Sequence, residues 1–171
     1  SLVWDVHIVD IDSKDKLRIT HSKRANNACW SPDSKKIAFV AHKNSTSNIF
    51  YISLDNPKSI ERITNYSGDV QIVTPAWSPD GNKIAYEDAS EVRIYDVSTG
   101  ASPQFTPSGG FFPVWSKNGE YLYFQGSSGG GVVGFRRPSD GREDARQLYN
   151  RPGQNLVRDA TAADSILLVR E

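Results

Sequence analysis

The sequence has one cysteine, no methionine and no net charge, and each shortage removes a class of explanation. A lone Cys29 permits no intrachain disulfide, so the 171-residue chain must rely on core packing, for which it is long enough. Its 20 Lys and Arg cancel its 20 Asp and Glu. That balance gives no reason to expect nucleic acid or an anionic membrane as partner, although it says nothing about local patches. No apolar run approaches the roughly 18 residues of a membrane span, so no membrane insertion is expected in this segment. The opening Ser1-Leu2-Val3-Trp4-Asp5 lacks the charged and apolar regions of a signal peptide. With no initiator Met, we expect a processed chain or a piece of a longer one.

Catalytic signatures are missing as well. The one Gly-x-Ser-x-Gly match, Gly126-Ser127-Ser128-Gly129-Gly130, falls in a glycine-rich run read as a flexible hairpin loop and not as a strand-to-helix elbow, and Ser127-Ser128-Gly129-Gly130-Gly131 lacks the Gly-Lys-Ser/Thr ending that cradles phosphate. His7, His21 and His42 are dispersed without metal-binding spacing. We therefore expect no metal, no cofactor and no catalytic residues. Asn44-Ser45-Thr46 and Asn65-Tyr66-Ser67 fit a glycosylation acceptor pattern that arises easily by chance in a chain rich in Ser and Asn.

What is present is a repeat. Trp30-Ser31-Pro32-Asp33-Ser34, Trp77-Ser78-Pro79-Asp80-Gly81 and Trp115-Ser116-Lys117-Asn118-Gly119 superimpose, with tryptophans 47 and 38 residues apart (77 − 30 and 115 − 77). In each, an apolar strand ends at Trp and a tight turn follows. Pro presets φ, Asp or Asn bonds the turn amides, and Gly takes the positive φ. β-Branched and aromatic runs such as Ile37-Ala38-Phe39-Val40 then read as a second strand. A third follows at 49–54 and 92–97, and a short fourth at 61–64 and 103–106. The third copy is looser, with strands expected at 132–136 and 146–149.

The two ends are complementary. Residues 4–20 match only the third and fourth strands of a unit, and 155–170 only the first and second. Four antiparallel strands per unit make a propeller blade. The expected fold is thus an all-β propeller with whole blades at about 27–64, 74–106 and 112–149. A composite blade would join 4–20 to 155–170, all within a single domain, 1–171. Closure as a small ring, completion by a second copy (a homo-oligomer), and further blades outside this segment all stay open.

The Trp-Ser-Pro-Asp-Gly pattern, with its later Ile-Tyr and Arg-Ile-Thr runs, resembles the TolB-like (WD40-like) β-propeller repeat over nearly the whole chain. That resemblance implies a module for protein interaction, usually of six blades, and favours a periplasmic or otherwise extracytoplasmic setting. It suggests a non-catalytic interaction, sensor or scaffold part of a larger bacterial protein, such as a TolB-like protein or a regulator tail. The alternative is the accessory gating propeller of a serine peptidase, of the prolyl-oligopeptidase or tricorn kind. A self-standing enzyme working in the central channel would need His and acidic residues on the inner strands, where Cys29, Ala76 and Val114 stand instead.

Recurrence sorts the conspicuous residues. Trp30, Asp33, Trp77, Asp80, Gly81, Trp115, Asn118 and Gly119 occupy matching places, so we expect the tryptophans to pack between blades and the Asp and Asn side chains to cap turns. A binding surface is expected where repeats differ, on loops gathered at one face. Arg24, Asn26, Tyr66, Phe112 and Arg151 are the candidates there, with a protein as the expected partner.

Overall fold

The protein is described from a computed structural model covering residues 4–21, 24–149, 155–160 and 166–170. Every regular element in it is a strand. The chain divides into two compact units, Ser1–Pro75 and Ala76–Glu171.

The first unit opens with β1 (His7–Val9) and β2 (Lys16–Arg18), which form a two-stranded antiparallel sheet. A four-stranded antiparallel meander follows: β3 (Ala25–Trp30), β4 (Lys36–Lys43), β5 (Thr46–Ser53) and β6 (Asn56–Arg62). Its core joins Ile37, Phe39 and Ile52 to Val6 and Ile19 beside the first pair. The unit boundary falls inside β7 (Ile72–Trp77), which heads a sheet with β8 (Lys83–Asp88) and β9 (Glu91–Asp96). The second unit continues with a four-stranded sheet of β10 (Phe111–Trp115), β11 (Tyr121–Ser128), β12 (Gly131–Pro138) and β13 (Arg146–Gln147). A final pair is formed by β14 (Asn155–Ala160) and β15 (Ile166–Arg170). Its core includes Ala85, Val92, Phe105, Trp115, Leu122 and Phe124.

The expected fourth strand at 103–106 is reduced to a single bridge between Arg93 and Gln104. Pro103 has no N–H to give to a ladder, yet its carbonyl still accepts from Ile94 N. The segment docks without becoming a strand. The connection between β4 and β5 is only two residues long, because the strands pair up to Lys43 and Thr46. Asn44 and Ser45 both have positive φ, as the tight hairpin turn of this length requires.

One feature of the inner strands has no sequence signature. Asn27, Thr74 and Phe112 each stand three residues before a repeat tryptophan, and each has φ of 49–54°. The register shifts between Asn26 and Cys29 in one sheet and between Phe111 and Val114 in another. Asn27 and Phe112 thus sit in β-bulges at a repeated place, and Thr74 shares their left-handed φ, which such residues ordinarily avoid. The hydroxyl of Thr74 is buried without a hydrogen-bond partner.

Candidate interaction surface

Two devices recur and account for the polar side chains that the repeats share. The first is the turn. Ser31 Oγ donates to Asp33 Oδ1 at 2.6 Å and accepts from Lys36 N at 2.8 Å, while Asp33 Oδ1 also accepts from Lys35 N. Ser78, Asp80, Asn82 and Lys83 repeat the pattern, as do Ser116, Asn118, Glu120 and Tyr121. The Ser31 hydroxyl is the main influence holding the Asp33 carboxyl below its usual range. Burial pushes Asp80 up, but bonds from Ser78 and Asn82 outweigh it and leave that carboxyl low too. The left-handed residue of the turn is Gly81 in one copy and Gly119 in another, and Ser34 in the first, with φ of 58°.

The second device is a threonine clamp, placed just past β2, just past β6 and in the 103–106 segment. Thr20, Thr64 and Thr106 are buried, and each hydroxyl accepts a backbone N–H at 2.9 Å, from Val6, Ile49 and Val92. Next to it, Arg18, Arg62 or Gln104 folds its side chain back onto the threonine carbonyl. The residue before the clamped amide is Asp5, Asn48 or Glu91. Asp5 and Asn48 each accept the threonine hydroxyl, at 2.8 and 3.0 Å.

The tryptophans diverge. Trp77 and Trp115 are buried, and Trp115 Nε1 donates to Ala76 O at 3.0 Å. Trp30 is 49% exposed. What precedes its sheet is the two-stranded β1–β2 pair, which has no inner strand to lie against the indole.

Three candidate residues belong to the first unit. Arg24 and Asn26 line a depression of about 410 Å³ with Trp4, His42, Lys43 and Gln71. Tyr66 lines a larger cleft of about 570 Å³ that shares His42, Lys43 and Asn44 with the first. The tip of the β4–β5 hairpin is therefore a ridge between two hollows. Asn26 Oδ1 lies 3.3 Å from His42 Nε2 across the β3–β4 ladder. Phe112 stands apart from these, in the second unit. It is the bulge residue of β10, and its N–H reaches Glu87 Oε2 at 3.4 Å. Burial pushes the Glu87 carboxyl up, against that bond. Arg151 lies outside the described residues.

The wall of the larger cleft is a strap at 64–68 tied to β5. Asn48 accepts from Tyr66 N at 2.8 Å and donates to Tyr66 O at 3.2 Å. Thr46 donates to Gly68 O, and Arg62 donates to Thr64 O at 2.7 Å and Tyr66 O at 3.2 Å. Arg62 and Lys43 are site residues that the repeat pattern hides. Arg62 belongs to the Arg-Ile-Thr run read as framework, and Lys43 falls at a strand end. The available signal was the mismatch between aligned copies: Asp5 faces Arg18, whereas the counterpart facing Arg62 is Asn48.

The family model described as the TolB beta propeller domain matches residues 2–169. The Tol-Pal system protein TolB of Histophilus somni is 33% identical over 70 residues, covering 39% of this chain and 16% of that protein. A protein named as the uncharacterized peptidase YuxL of Bacillus subtilis is 29% identical over 157 residues, covering 78% of this chain and 23% of its own length. Among solved structures, TolB from Acinetobacter baumannii superimposes with a TM-score of 0.80 at 24% identity, over 96% of this chain and 42% of that one. This last likeness is one of fold. The chain spans less than a quarter of either curated relative.

Proposed function

Because the chain belongs to the TolB β-propeller domain family, we propose that it is a non-catalytic interaction, sensor or scaffold module of a larger bacterial protein. The observation that carries this reading is the fate of the recurrent polar side chains. The turn Ser and Asp or Asn residues and the clamp threonines are spent on backbone amides of their own sheets, which makes them architecture. Residues that differ between copies are left to recognise a partner. Arg24, Asn26 and Tyr66 serve that role at the ends of the first unit's strands, with Phe112, on the β10 bulge, and Arg151 as further candidates.

In this reading 27–64, 74–106 and 112–149 are whole blades. The β1–β2 pair is an outer half, supported by its Thr20 clamp, and β14–β15 supplies an inner half of the kind it lacks. The exposed Trp30 indole is the surface such a completion covers, whether the inner strands come from β14–β15 of the same chain, from a second copy or from a flanking segment. A solution mass separates a dimer from the monomeric forms.

The second reading, an accessory propeller of a peptidase, is favoured by the likeness to YuxL over 78% of the chain. The adjoining coding sequence discriminates: a hydrolase segment supports the peptidase. For the chain itself, incubation with chromogenic peptide and ester substrates should give no turnover above buffer. Turnover lost on a single substitution would overturn the non-catalytic reading.

A further inference from the structure

Arg18 and Arg62 occupy the same position of the repeat and make the same first bond, from Nε to the carbonyl of the clamp threonine. They differ in what faces them. Arg18 meets the Asp5 carboxylate at 2.5 Å, an oxygen almost removed from solvent. At Arg62 that carboxylate is replaced by Asn48, whose amide is committed to Thr64 and Tyr66. Arg62 turns instead to the Tyr66 carbonyl. Its guanidinium is thus held by two backbone carbonyls with donors to spare, and it has no ion pair among the described residues. A guanidinium with its fork fixed and its charge uncompensated suits a carboxylate.

The surroundings match that need. Lys43 lines the same cleft, and no Asp or Glu does so among the described residues. Arg24 in the neighbouring hollow is likewise lined by no acid, and the hairpin tip joins the two. In a chain whose total charge is zero, a lining of one sign is a local arrangement. Ala41, Phe50 and Tyr66 add apolar and aromatic surface to the cleft. A bare inorganic anion has no use for that surface, whereas an acidic side chain with its methylene stem does.

We infer that this cleft, in the interaction module described above, binds an extended acidic segment of a partner polypeptide. One carboxylate of the segment takes Arg62 and Lys43. The chain then crosses the ridge at Asn44–Ser45 and sets a second acid toward Arg24. A flexible polypeptide suits two cationic hollows parted by a ridge better than a polymer charged at every unit.

The test is a fluorescence-anisotropy titration of the whole chain with a labelled peptide of alternating Glu and Ser. Binding should weaken as salt rises, and a Lys/Ser peptide should not bind. Arg62→Gln and Lys43→Glu should each weaken binding about tenfold, and Lys58→Glu, on β6 outside the cleft, by less than about twofold. Lys43 makes none of the strap's bonds, so Lys43→Glu keeps the test open if Arg62→Gln unfolds. Asn48→Asp, which restores the missing partner of Arg62, should weaken binding to a similar degree. Unchanged affinity in Lys43→Glu, or a loss in Lys58→Glu equal to it, would overturn the site. So would displacement of the peptide by trigalacturonate at a lower concentration than by unlabelled peptide. A chain that neither turns over substrate nor binds the acidic peptide defeats the cleft alone; a chain that hydrolyses a substrate defeats the interaction reading whatever the cleft binds.

Discussion

The β1–β2 pair and the β5–β6 pair carry the same hydrogen-bonded threonine and arginine arrangement, put to different ends. Both carry the buried threonine that takes a backbone amide at 2.9 Å, and both fold an arginine over the threonine carbonyl. In the first copy a carboxylate closes the arrangement, and Arg18 is consumed internally. In the second an amide stands in for the carboxylate, and the same amide ties down the 64–68 strap. The substitution of Asn48 for the acid changes the fold little and the surface a good deal. A repeat keeps what its hydrogen bonds demand, and varies its charge where a neutral group can make the same bonds.

The largest expected effect comes from breaking what the copies share. Thr64→Val leaves Ile49 N–H and one bond of Asn48 unmet in a buried place, at a cost of about 2 kcal/mol. Urea unfolding should reveal it, and Thr20→Val should cost a comparable amount; a neutral outcome for both would mean that the clamp is incidental. A smaller effect follows from making the first copy resemble the second. In Asp5→Asn the Thr20 hydroxyl keeps its acceptor, and the ion pair with Arg18 goes. With Arg18 about half exposed, that loss is about 1 kcal/mol and shrinks with salt. A salt-independent loss would point to disturbed packing instead.

The smallest effect concerns Glu87, which stands in β8 where β4 has the fully buried Val40. Burial raises its carboxyl, so the folded chain keeps a proton through a range in which the unfolded chain has released it. Stability therefore falls as pH climbs from the ordinary carboxylate value to the raised one. Glu87→Gln should remove that fall, read as urea midpoints that no longer decline across the same pH interval; an unchanged profile would place the titration elsewhere.

Much of the framework was legible because its chemistry is written in single residues. Pro, Asp and Gly announce the Trp-Ser-Pro-Asp-Gly turn, and alternating aromatic and β-branched residues announce the strands beside it. The left-handed backbone at Asn27, Thr74 and Phe112 was not legible, because nothing in those side chains asks for a positive φ. Phe112 accordingly looked like a loop residue free to bind, whereas it holds a repeated backbone position. Trp30 was read as buried like its counterparts, and its exposure depends on which strands stand before it rather than on its own motif. Arg62 was concealed by membership of the repeat. Only its pairing across the sheet distinguishes it from Arg18, and that requires the outer strands to be aligned residue by residue.

The uneven burial of the tryptophans makes the protein its own optical instrument. Trp4 and Trp30, 68% and 49% exposed, face water in the first unit, while Trp77 and Trp115 sit in packed surroundings. Iodide should quench the first pair and spare the second, and the emission should resolve into a longer- and a shorter-wavelength part. Trp4 borders the hollow that holds Arg24, so occupation of that hollow becomes a change in the quenchable fraction. Strands added beside Trp30 would move its light from the first part to the second, without any label being attached.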